Sequence, residues 1–156
     1  MSIISLQQFE ILLPLAAAWA EEQEKVILRS GVALTDSQFA DARQVGVAQP
    51  ECARLLAVER VPLPTHPVLA AAAHATGLIT PSTGGLTLRY GIFVRNDYWG
   101  QRQIVVHELV HTAQYERLGG IENFLRAYLT ECLSPPGYPY GPMEQEAINT
   151  AATLCG

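Results

Sequence analysis

Residues 102–118 read RQIVVHELVHTAQYERL. Val105, Val106, Leu109, Val110 and Ala113 recur at the spacing that lines one face of an α-helix, and Gly119 and Gly120 stop it directly after Leu118. The other face carries Ile104, His107, Glu108, His111 and Tyr115. Two imidazoles and a carboxylate on a well-buried helix are expensive to desolvate unless they are paired or bound to a metal. A helix shaped by packing alone would avoid them.

Residues four apart on a helix lie one above the other, with Cβ atoms about 5–6 Å apart, so His107 and His111 can direct ring nitrogens at one point. Zinc takes imidazole nitrogen at about 2.0–2.1 Å, and two rings fill half of a tetrahedron. Glu108 follows the first histidine and, as a non-ligand, is placed to take a proton from a water at the metal. The pattern H-E-x-x-H arises by accident in about one random chain of this length in a hundred or fewer. A catalytic zinc also needs a third protein ligand and an open position. No histidine follows His111, and the last predicted helix, PMEQEAINTA, offers Glu144 and Glu146. Cys132 is a weaker candidate because it falls on an apolar stripe.

The rest of the chain supplies the frame. Residues 5–30 carry apolar groups at helical intervals, and Pro14 is expected to split them into a short helix and a longer one that ends at Gly31. TDSQFADARQV opens on the capping residues Thr35 and Asp36 and predicts another helix. CARLLAVERVPLP favours a strand before its Pro-x-Pro stop, HPVLAAAAHATG a helix, and TPSTGG a turn. LTLRY and IFVR, on either side of Gly91, give one or two strands. After the central helix, Ile121, Phe124, Leu125, Tyr128, Leu129 and Cys132 form one apolar stripe of a further helix. SPPGYPYGP then forbids regular structure until Pro142 opens the final helix.

These elements predict an α+β fold, mainly helical with a small β-sheet, as a single domain over residues 1–156. Residues 1–50 form a helical scaffold, and 51–156 hold the sheet, the central helix and the final helix. A net charge of -5 without a block of either sign is poor material for a phosphate-binding footprint, so nucleic acid is not expected as a partner. ILLPLAAAWA is too short to span a bilayer and lacks the basic flank of a signal peptide, so we expect no membrane span and a cytoplasmic protein. Cys52, Cys132 and Cys155 lie far apart and do not suggest a disulfide scaffold or a zinc knuckle. Nothing in the sequence sets the oligomeric state.

HELVH, followed by a helix containing EQEA, resembles the gluzincin group of zincin-like zinc metallopeptidases, in which a glutamate on a later helix completes the metal site. The resemblance covers roughly residues 86–150. It implies Zn2+ as cofactor, a peptide or protein substrate, and a peptide bond cleaved by metal-activated water with Glu108 as general base. Compact members have a ligand helix reading Glu-x-x-Ala, which selects Glu144 beside His107 and His111. The thermolysin-like pattern, Glu-Ala, selects Glu146 instead. Both patterns commonly hold a histidine with a polar residue one turn after the ligand, and Ile148 or Thr150 stands there in this chain, leaving Asn149 as the nearest substitute.

The resemblance also implies an edge strand beside the cleft, within GGLTLRYGIFVR, whose Leu86, Leu88 and Tyr90 would meet the substrate. Tyr138 and Tyr140 on the Pro-rich loop are candidates to stabilise an oxyanion, and we assign that catalytic role to Tyr140. Gln114, one turn beyond His111, reads as a plain polar contact, His66 as a turn residue and His74 as a helix-surface residue. The alternative function is a binding or regulatory module of zincin shape that holds metal without cutting.

Overall fold

The computed structural model describes residues 5–156. Helix α1 spans Leu6–Ser30, capped by Ser5 in a reciprocal box with Gln8. Its buried face runs unbroken from Phe9 through Leu12, Leu13, Ala20 and Glu24 to Ile27. Pro14 lies inside this helix and does not divide it, contrary to the sequence expectation. Proline in a helix interior costs about 3 kcal/mol, but Pro14 faces solvent, where water can serve the freed carbonyl, and burial on both sides of it keeps the two halves collinear.

A short strand β1 (Val32–Ala33) and helix α2 (Asp36–Gln44) follow, then β2 (Arg54–Val58) and α3 (Pro67–Thr76). His66 caps α3, its Nδ1 accepting from the Val68 amide, while His74 stays on that helix's exposed side. Strands β3 (Gly85–Leu88) and β4 (Gly91–Arg95) form a hairpin that leads into α4 (Arg102–Leu118), α5 (Ile121–Leu133) and α6 (Pro142–Cys155). The sheet order is β1-β2-β4-β3, with β2 and β4 parallel and the other pairs antiparallel. Strand β3 is therefore an edge.

Strand β4 is buried on both sides, as its uninterrupted apolar run requires. Phe93 joins Ile27, Leu88, Tyr115 and Phe124 in one core cluster, and Ile92 and Val94 join Val105, Leu109 and Ala113 in a second. The face of α4 that carries His107, Glu108 and His111 is covered too, which explains why Tyr115 is 1% exposed and stacks on Phe124 at 3.6 Å between ring centroids. The hairpin loop is fixed from behind. Arg89 has φ 60 and grips Glu24 of α1 through two hydrogen bonds of 2.9 and 2.7 Å, and Glu24 also accepts from the Tyr90 amide. These charge-assisted bonds offset the left-handed backbone at Arg89.

Among the described residues no helix is long and apolar enough to cross a membrane. All three cysteines are free. Burial, reinforced by the charges of Glu144 and Glu131, pushes the Cys132 thiol up to about 12. A thiol reagent at pH 8 is expected to modify Cys52 and Cys155 in the folded chain and Cys132 only after unfolding, because the thiolate is the nucleophile. Counting modified thiols before and after denaturation checks this, and full labelling of the native chain contradicts it.

Candidate metal centre

Helix α4 projects His107 and His111 from successive turns, and their ring centroids stand 5.1 Å apart. Helix α6 crosses against α4 with Ala147 and Ala151 buried at the contact, small residues that let the two backbones approach. Its start is held by Glu131 of α5, which accepts from the Met143 amide at 2.8 Å. Glu144 consequently enters from the first turn of α6, an end of a helix that favours a carboxylate.

Glu144 closes on both imidazoles. Its Oε1 lies 2.7 Å from Nε2 of His107 and its Oε2 lies 3.1 Å from Nε2 of His111. Tetrahedral arms of about 2.0–2.1 Å give ligand-to-ligand separations of about 3.3 Å, close to these two carboxylate-to-imidazole distances. His107, His111 and Glu144 form a group able to hold a metal, with ligand atoms within 4.8 Å of one another. The side chain of His107 is 21% exposed, against 7% for His111 and 6% for Glu144, so the group is reached from the His107 side.

The three side chains turn polar atoms toward one another. Gln114 gives both hydrogens of its amide nitrogen to acceptors, the Met143 carbonyl at 2.9 Å and Oε1 of Glu146 at 2.7 Å. Its Oε1 therefore faces Nδ1 of His111, 2.8 Å away, and that nitrogen must carry a hydrogen. Nε2 of a neutral His111 then presents a lone pair to a carboxylate oxygen, a contact between two acceptors that is favourable only with positive charge between them. Burial works against charge on both histidines, yet the hydrogen bonds that their protonated rings give to Glu144, together with the charge of Glu108, raise both above the ordinary imidazole value. Burial also pushes against ionisation of Glu144, but the two histidines hold its carboxyl far below the usual carboxylate range.

Glu108 stands apart from this trio. The Thr87 hydroxyl donates to its Oε1 at 2.8 Å, and its Oε2 lies 3.9 Å from Nε2 of His107. Gly85, at the start of β3, leaves room for this carboxylate, since a Cβ there would sit 3.1 Å from Cγ of Glu108. The chain thus brings together the four acidic and histidine side chains that the motif predicts, three converging and one beside them.

Other expected residues fall elsewhere. Glu146 is 43% exposed, pairs with Arg117 at 2.9 Å and supports Gln114, so it stands outside the group formed by His107, His111 and Glu144. Tyr140 is 63% exposed and lines neither space beside the site, a correction to the catalytic assignment. Tyr138 turns inward instead, bordering both spaces with Glu108 and Glu144. Burial, then the charges of Glu144 and Glu108, push its phenol up and keep it protonated. Leu86 borders the site, and Leu88 lines the same cavity from the core, 3% exposed. Tyr90 is a further correction. It belongs to the hairpin loop, and its hydroxyl donates to Glu116 at the far end of α4. Asn149 is exposed.

Three contributors escaped the sequence reading. Thr87 holds Glu108, Tyr128 donates its hydroxyl to Oε2 of Glu144, and Gln114 fixes the His111 ring. Thr87 shows in the sequence as a hydroxyl between Leu86 and Leu88, and Tyr128 as a phenol on the apolar stripe of α5. Partners of this kind set ligand orientation, and their loss typically costs about 10–100-fold in metal affinity. Gln114→Ala is therefore expected to weaken zinc binding by about that factor, measured by competition with a chromogenic chelator. Unchanged affinity would remove Gln114 from the site.

Two spaces meet at this cluster. An open groove runs past Thr83, Gly84, Tyr98, Ile104 and Ile148, and an apolar cavity lies on the other side of Glu108 and His111. In comparison with known proteins, no family model, no curated protein and no solved structure matches this chain.

Proposed function

We propose that this chain is a zinc-dependent metallopeptidase of zincin-like, gluzincin type, with His107, His111 and Glu144 as the metal ligands and Glu108 as general base. One observation carries the proposal: Glu144 closes on both imidazoles, while Glu108 is drawn aside by Thr87 and left free to act. Zinc held by that trio supplies Lewis-acid polarisation of a carbonyl and acidifies water. Thr87 occupies one oxygen of Glu108, so Oε2 accepts the proton of the attacking water and returns it to the leaving amine. Tyr138, protonated at the meeting of the two spaces, donates a hydrogen bond to the oxyanion.

The open edge of β3 pairs with an extended peptide through main-chain hydrogen bonds, a mode that makes little demand on side chains. Three free thiols support a reducing compartment and hence the cytoplasm. The test combines elemental analysis of the zinc-reconstituted chain with cleavage of a quenched fluorescent peptide library. We expect one zinc per chain and hydrolysis. One zinc without hydrolysis of any peptide favours the binding module, and no stoichiometric metal defeats both readings.

A further inference from the structure

The metal cluster forms one wall of an apolar cavity of about 170 Å³. Its remaining walls come from α1, α3, β3 and α5, through residues such as Leu12, Trp19, Leu69, Leu86 and Leu129. Glu108, His111 and Glu144 stand at its polar end. An engineered apolar cavity of roughly 150 Å³ stays dry and accepts benzene, so this space has room for one aromatic ring. It is adjacent to the groups that would act on a bound chain. Leu86 and Thr87 of edge strand β3 line the cavity beside Glu108, and an extended peptide paired along that edge would place alternate side chains on one side, within reach of the cavity.

Resting on the peptidase reading, we propose that the substrate residue beside the cleaved bond carries a large apolar side chain of aromatic size, which this cavity receives. Apolar burial drives the selection, because the lining offers almost no polar partner away from the metal cluster. A pocket of this kind separates side chains that differ by one methylene by about 10–200-fold, so phenylalanine should exceed alanine by at least about tenfold in kcat/KM. Small residues on the two helices keep the space open. Ala16 of α1 and Ala72 of α3 both line it, and both are distant in sequence from the motif.

The first arm of the test needs neither metal nor turnover. Toluene is titrated into the full chain and followed by methyl NMR and by Trp19 fluorescence in a Trp99→Phe background. We expect saturable binding that weakens at least tenfold in Ala16→Phe and in Ala72→Phe, two variants on different helices that guard against a folding artefact. The second arm compares kcat/KM for peptides differing only by Phe or Ala next to the cut. The zinc-loaded chain is expected to prefer Phe at least tenfold, and both filled variants to lose that preference while still binding one zinc. Absent toluene binding, undiminished binding by the filled variants, preferential uptake of a free long-chain fatty acid, or cleavage indifferent to side-chain size overturns the proposal. Cleavage without preference defeats this inference alone, whereas failure to bind zinc or to cut any peptide defeats the peptidase reading with it.

Discussion

Glu108→Gln is expected to lower kcat by about 10²–10⁴-fold while zinc stays bound at one per chain. The substitution removes the proton acceptor and little else. A glutamine side chain keeps the size of glutamate, and its carbonyl oxygen still accepts the Thr87 hydroxyl that holds Glu108 at 2.8 Å. None of the ligand contacts is touched, since His107 and His111 close on Glu144. Rate and metal content should therefore separate. Single-turnover kinetics with elemental analysis of the same sample reads both, and near-normal hydrolysis by the variant would remove Glu108 from the reaction. Thr87→Val is expected to fall between the two, because it frees the carboxylate without removing it.

The contrast between Glu108 and Glu144 also marks what a sequence can disclose. Helix α4 was legible because apolar spacing, the histidine pair and a glycine stop agree, and Gly119 takes the left-handed conformation, with φ 92, that such a stop uses. Helix α6 was legible from Pro142, which opens it directly after a loop too rich in proline and glycine to be regular. Which of its two acids turns toward the histidines is not a local property. Glu144 and Glu146 are two residues apart and so project from well-separated sides of the helix, and the crossing of α6 over α4 decides between them. The resemblance chose Glu144, and the packing of Ala147 and Ala151 against α4 supplies the physical reason.

Where expectation failed, tertiary contacts had overruled local chemistry. Pro14 carries a local penalty, but the buried face of α1 is continuous from Phe9 to Ile27 and holds the helix together. The loop between α5 and α6 has no periodicity, so nothing in it tells Tyr138 from Tyr140. Tyr90 was read as strand because only Gly91 separates LTLRY from IFVR, yet β3 ends at Leu88 and the loop is set by Glu24, 65 residues from Arg89. Gln114 was undervalued because its partners, Met143 and Glu146, approach from another helix.

Zinc should raise the melting temperature of the wild-type chain by about 8–16 °C and barely move that of Glu144→Gln. A ligand present at 1,000 times its dissociation constant stabilises the folded state by about 4.1 kcal/mol, and a domain of about 150 residues gains about 2–4 °C per kcal/mol. Glutamine at position 144 retains a carbonyl that can accept the Tyr128 hydroxyl, but it loses the anionic oxygens that lie 2.7 and 3.1 Å from the two histidines. Two imidazoles alone fill half of a tetrahedral zinc site, so most of the linkage vanishes and the rise should fall below about 3 °C. Glu146→Gln is the matched control. Its carboxylate faces Arg117 and Gln114 and not the rings, so the zinc-dependent rise should survive. Differential scanning fluorimetry with and without zinc decides the matter for all three chains. If Glu146→Gln loses the response and Glu144→Gln keeps it, the ligands have been assigned to the wrong side of α6, and the division of roles between Glu108 and Glu144 falls with that assignment.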